Sequence, residues 1–242
     1  MGVLQLFGTF YEKSNRDGRP SIGDIYWVPT PHIEETPRIF DVIRSDPHSH
    51  VDVDFEISEI ANHHFKERPD RLPIKLLSLG STEELVITKA KKRPAIVLYS
   101  SCLDDAETLS SMDKRLARHI AKRCFAVAPF YSPASVIKPG PFMPTLVARI
   151  RAMRYPHLVC LPKLGSNKPE PGEVIRLDRL FITHLGRGCV RSDWKLHGDI
   201  VTLISDQLHW TSHGPRSEFL ETVIDTVKDC LPPELEPDSK QE

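Results

Sequence analysis

Lys92-Arg93-Pro94-Ala95-Ile96-Val97-Leu98-Tyr99-Ser100 decides how this chain is read. The run is short, apolar and rich in Val, Ile and Tyr, which favours a buried strand over a helix. A proline lacks the N–H that a sheet ladder uses, and is tolerated at strand starts and edges. The strand is therefore expected to start at Pro94. Arg93 then sits at its mouth, with a guanidinium that meets either an anion or solvent.

Upstream, Gly23-Asp24-Ile25-Tyr26-Trp27-Val28-Pro29 is a turn signal followed by an aromatic and β-branched run that a proline ends. That predicts a second strand. Residues 30–92 between the two are too long for a bare loop. They read as an insertion with strands at 40–43 and 51–55, a helix over 56–68 stopped by Pro69, and a hairpin from 74–79 and 84–88 around Gly80-Ser81. Residues 1–20 read as a surface strand and turn, or as a loosely attached arm.

Downstream, Asp104–Arg123 is a charged helix in which Arg115, Arg118 and Lys122 recur at spacings of three and four. Phe125–Tyr131 is the next strand, and a Pro-rich link follows. A short helix over 145–154 carries Arg149, Arg151 and Arg154. Strands are expected at 157–161, 174–177 and 180–184. Leu196, Ile200, Leu203, Ile204 and Leu208 give residues 194–210 an amphipathic helical pattern, and 218–230 a further helix. The acidic tail 232–242 has the composition of a disordered segment.

Bulk properties narrow the class. The chain has 242 residues, enough for one or two domains. No apolar run approaches the roughly 20 residues that span a bilayer. The N-terminus lacks the features of a secretory signal, so a cytoplasmic location with no membrane partner is expected. Cys102, Cys124, Cys160, Cys189 and Cys230 are scattered and odd in number, which argues against a disulfide framework or a zinc ribbon. Net charge is −1, unevenly spread. Residues 1–87 carry 9 Lys/Arg against 15 Asp/Glu, residues 88–163 carry 14 against 4, and residues 164–242 carry 9 against 14. A basic middle third points to an anionic partner such as nucleic acid, unless the acidic flanks fold over it.

Four motifs in order, GDIYWV, RPAIVLYS, VAPFYS and VIRLDRL, resemble those of the PemK/MazF family of toxin endoribonucleases over about half the chain. The resemblance implies an α+β fold built on an SH3-like twisted β-barrel. It gives one domain over residues 1–231, interrupted by the insertion at about 30–92. It also implies dimerisation, an antitoxin or other protein partner, and metal-independent cleavage of single-stranded RNA to a 2′,3′-cyclic phosphate, with no cofactor. Such cleavage needs a base for the ribose 2′-OH, an acid for the leaving oxygen and a cation on the phosphorane. Arg93 falls on the family's arginine and is expected to hold phosphate, for which a planar guanidinium is suited. Tyr131 stands where the family has Thr, and Ser132 keeps the Ser that follows it; either would hydrogen-bond the scissile group. Asp178 matches the family's L-D, and His32 lies where some relatives carry a histidine in a gating loop; both are acid or base candidates. Lys91, Lys92, Arg115, Arg118, Lys122, Arg149, Arg151, Arg154 and Arg179 are expected to contact phosphates, which gives affinity rather than sequence choice.

Two rival readings are a catalytically inactive PemK/MazF-like module that binds nucleic acid or protein, and a metal-dependent hydrolase. The latter would use His48, His50, His63 and His64 with Asp52 and Asp54. Their spacing matches no zinc pattern, and no metal is assigned.

Overall fold

The computed structural model describes residues 2–15, 18–44, 46, 48, 52–67, 77–101, 124–133, 142–186 and 188–228. The expected helix over 104–123, with Arg115, Arg118 and Lys122, lies outside them, as does the tail 232–242. The strands are β1 (Tyr11–Lys13), β2 (Asp24–Pro31), β3 (Arg38–Ile43), β4 (Asp54–Glu59), β5 (Val86–Ile87), β6 (Ala90–Ser101), β7 (Cys124–Tyr131), β8 (Leu158–Leu161), β9 (Glu173–Arg176), β10 (Phe181–Thr183) and β11 (Val190–Leu196). The α-helices are α1 (Pro144–Arg151), α2 (Gly198–Thr211) and α3 (Glu218–Val227). The protein is α+β, with mostly antiparallel pairing. Among the described residues no helix is long and apolar enough to cross a membrane.

The chain divides into two compact units, Met1–Pro29 with Lys92–Glu242, and Thr30–Lys91. In the larger, the strand order is β1-β11-β2-β6-β7-β9-β8, with β10 beside β7. The path does not close on itself, and no closed barrel forms among the described residues. Pleating explains the core. Ala95 and Val97 face one way, toward Tyr26, Val28, Phe125 and Val127, while Ile96 joins a larger cluster with Phe130, Ile175, Ile200 and Leu203. Leu98 is an extra residue, because Val97 pairs with Val127 and Tyr99 with Ala126.

Four local expectations need correction. β6 begins at Ala90, so Pro94 lies inside the strand and Arg93 is a strand residue, not a mouth residue. The N-terminus is no loose arm: Val3, Leu4, Phe10 and Tyr11 are buried, and Tyr11 pairs with Leu196. Residues 194–196 are the end of a strand, not the start of a helix. Trp194 pairs with Lys13 and Leu196 with Tyr11, and α2 starts only after His197, whose ring accepts from the Asp199 N–H. The helix expected over 56–68 is replaced by strand to Glu59 and a short 3₁₀ turn at Asn62–Phe65. Phe55 and Ile57 alternate and pair with Val42 and Phe40, so cross-strand packing outweighs the helical pattern. This sheet of the smaller unit runs β4-β3-β5, with the Phe40 and Phe55 rings stacked at 5.6 Å.

One polar anchor holds the larger unit together. Asp24 is fully buried. Its Oδ2 accepts from the Ser21 N–H at 2.8 Å, the Ser21 hydroxyl at 3.1 Å and Arg191 Nη2 at 2.7 Å. Arg191 also donates to the Gly18 carbonyl at 2.6 Å. Gly23 precedes it at φ +90°, where a Cβ would lie 2.9 Å from Val201 Cγ2. The Gly-Asp pair thus makes a tight turn and ties β2 to β11.

Candidate functional site at the end of β7

Tyr131 ends β7 and pairs with Val174 of β9. On the other side β6 runs antiparallel, with Ala95 opposite Pro129, which brings Arg93 across from Tyr131. The Arg93 guanidinium lies 4.6 Å from the centre of the Tyr131 ring. Arg176, on β9, lies 6.0 Å from the same ring. Two cations therefore converge on one half-buried aromatic, within the range of cation–π attraction.

The next turn fixes Arg176. Its Nε donates to Asp178 Oδ1 at 3.0 Å, and its Nη2 donates to Oδ2 in a bidentate fork. Arg179 Nε is 3.8 Å from the same Oδ2. Burial pushes the Asp178 carboxyl up, but the hydrogen bond and charge of Arg176, with His157 nearby, outweigh it and hold the acid below its usual range. A carboxylate committed to Arg176 orients that cation; it is a weak proton acceptor.

Ser132 behaves differently from its neighbour. Its hydroxyl acts on Glu173, the residue before Val174. Burial pushes Glu173 up to about 7, against the opposing pull of Ser132 and of Lys163. Ser132, Lys163 and Glu173 line an open cleft of about 470 Å³ with Ser166, Lys168 and Glu170. The two arms of the β8–β9 loop meet at Gly172, where a Cβ would fall 2.0 Å from the Lys163 backbone nitrogen. The Gly172 N–H donates to the Leu161 carbonyl at 3.0 Å. Asn167 Oδ1 accepts from the Phe10 and Tyr11 N–H groups at 2.8 and 3.0 Å, which pins the loop tip to the N-terminal segment.

The structure thus gathers Arg93, Tyr131, Asp178 and Arg179 around Arg176 and puts Ser132 in the adjoining cleft. Lys92 precedes Arg93 on β6 and is exposed. His32 and Lys91 belong to the smaller unit, where the His32 N–H donates to the Lys89 carbonyl at 2.8 Å. Two of the α1-region arginines make hydrogen bonds within the protein. Arg151 Nη2 donates to Gln5 Oε1 at 3.3 Å, and Arg154 Nη2 to the Lys228 carbonyl at 3.1 Å, just past α3. Arg149 is half-buried on α1. Of the histidines weighed as metal ligands, His50 lies outside the described residues. His64 is buried, with Nδ1 accepting from the Ala61 N–H at 3.0 Å and Nε2 3.3 Å from the Ser58 hydroxyl. Among the described residues no group of three or more His, Cys, Asp or Glu is placed to hold a metal.

Arg176, Glu173 and Lys163 were not singled out from the sequence. Arg176 had a signal, an Arg-x-Asp spacing that straddles a strand end. Glu173 had none, since its link to Ser132 needs the β7–β9 register. Comparison with protein-family models, with curated proteins and with solved structures finds no match to this chain.

Proposed function

We propose that this protein binds single-stranded RNA at the end of β7, as a divergent relative of PemK/MazF proteins with an SH3-like core. The observation that carries the reading is the convergence of Arg93 and Arg176 on the Tyr131 ring. Single-stranded nucleic acid is held by aromatic or guanidinium planes on which bases stack, beside cations that meet the backbone. All three side chains stand on sheet strands, and Asp178 fixes the Arg176 fork, so the platform is preorganised. Arg179, on the turn after β9, adds a third cation beside Asp178.

Metal-independent cleavage of that RNA is the second reading. It is favoured by Glu173, a carboxyl that burial raises to about 7, in the range suited to proton transfer, and that Ser132, the residue after Tyr131, hydrogen-bonds. Incubating a mixed RNA pool with the protein in EDTA separates the two. Retention of RNA without new ends is the outcome for a binding module. New ends bearing 2′,3′-cyclic phosphate, absent with Arg93→Ala, establish the nuclease. An RNA pool neither retained nor cut removes both readings.

A further inference from the structure

The cleft beside the platform has a composition of its own. Lys163 and Lys168 stand at its rim, Ser132 and Ser166 present hydroxyls, and Glu173 lies behind them with Glu170 exposed at the edge. Its volume, about 470 Å³, falls within the roughly 300–1,000 Å³ typical of small-ligand sites. The walls are prebuilt. Besides the Asn167 and Gly172 contacts, the Tyr11 hydroxyl donates to the Pro162 carbonyl at 2.9 Å, and the Ser166 N–H to the Lys163 carbonyl at 2.8 Å. Gly165, at φ +78°, lets the loop close on Trp194, where a Cβ would lie 2.5 Å from Nε1.

We propose that this cleft is a binding site for a phosphomonoester of mononucleotide size, its phosphate held by Lys163 and Lys168 with the Ser132 and Ser166 hydroxyls over the Glu173 carboxyl. Two lysines and two serines lining one concavity supply the positive charge and the donors that a phosphate's oxygens accept, against the one exposed carboxylate of Glu170. The groups that act on Glu173 are Ser132 from the end of β7, Tyr11 from β1 and Lys163 from the β8–β9 loop, whose Lys168 and Glu170 line the same cleft. Burial keeps the Glu173 proton on up to about pH 7. Below that point the neutral acid donates a hydrogen bond to a phosphate oxygen; above it the carboxylate repels the phosphate. Ligand binding therefore takes up a proton at Glu173 and weakens as pH rises.

Calorimetric titration of the full chain with uridine 5′-monophosphate and with uridine tests this site. The monophosphate is expected to bind at least about tenfold more tightly than uridine, and the Lys163→Met/Lys168→Met variant to lose about that factor. Between about pH 6 and pH 8 its affinity is expected to fall about tenfold in the wild type and less in Glu173→Gln. The ligand's own ionisation is common to both proteins, so the difference isolates Glu173. Thermal melts of the variants confirm folding. Competition by a 5′-phosphorylated ribo-oligonucleotide, but not its unphosphorylated form, assigns the phosphate to an RNA end. Competition by the mononucleotide alone assigns it to a free nucleotide. Equal binding of uridine and its monophosphate, or unchanged affinity in the folded double-lysine variant, overturns the proposal.

Discussion

Replacing both Arg93 and Arg176 with alanine is expected to weaken binding of a single-stranded oligoribonucleotide at least about a hundredfold. Each is placed for a charge-assisted contact, worth roughly 1.5–3 kcal/mol, and about 1.4 kcal/mol is a factor of ten. The two guanidiniums share one ring, so their effects are expected to couple and the double variant's loss to depart from the sum of the single losses. Salt dependence gives an independent readout. The slope of log affinity against log salt should fall by about 0.7 for each phosphate contact removed. Fluorescence anisotropy over a salt series measures both quantities. Stability should change little, because each cation–π contact contributes only about 0.5–1 kcal/mol at a partly exposed site. Removing the Arg176 fork also releases Asp178, so Arg176→Lys, which keeps the charge and loses the bidentate geometry, is the control for charge alone.

The second large effect is on folding. Asp24→Ala is expected to lower unfolding free energy by about 3–5 kcal/mol, because it removes the buried carboxylate on which Arg191 Nη2 and Ser21 converge. The Asp24 side chain is only 1% exposed, so water has little access to the site of the removed carboxylate. The Ser21 N–H and hydroxyl lose their acceptor in the same step. For a chain of this length the melting temperature should drop on the order of 10 °C. Urea denaturation of Asp24→Ala, Arg191→Ala and the double variant gives the coupling energy. Additive losses would mean that the ion pair adds nothing to the turn it spans. Because Asp24 ties β2 to β11, a double-variant loss well short of the sum is expected.

Strands with strong local patterns were legible in the sequence. Gly23–Pro29, Phe125–Tyr131 and residues 174–177 carry β-branched or aromatic runs between turn signals, and strands stand there. β11 was not legible. Its Trp194 and Leu196 sit beside the amphipathic stretch of α2 and share its hydrophobic period, while the pairing that makes them strand comes from β1, far away in the chain. The same limit applies to residues 56–59, whose helical spacing gave way to pairing with β3. In the site, Arg93 and Tyr131 could be nominated because each falls in a recognisable motif. Their contact could not, since it depends on the antiparallel register of β6 against β7. Arg176 and Glu173 needed that register and the one between β7 and β9. Asp178 was nominated for proton transfer from its place in a motif, but its charge environment was invisible until Arg176 was seen to fork onto it. The hydrogen bonds of Arg151 and Arg154 could not be read from the sequence, because their acceptors at Gln5 and Lys228 lie far along the chain.

RNA lying against Tyr131 at the end of β7 is the contact on which the proposed binding depends. Photocrosslinking of a 4-thiouridine-bearing single-stranded RNA to the full chain, followed by peptide mapping, tests it most directly. A dominant crosslink is expected at Tyr131 or at a residue beside it on β6 or β9, lost in Arg93→Ala/Arg176→Ala. Crosslinks confined to other segments, undiminished in that double variant, would contradict it.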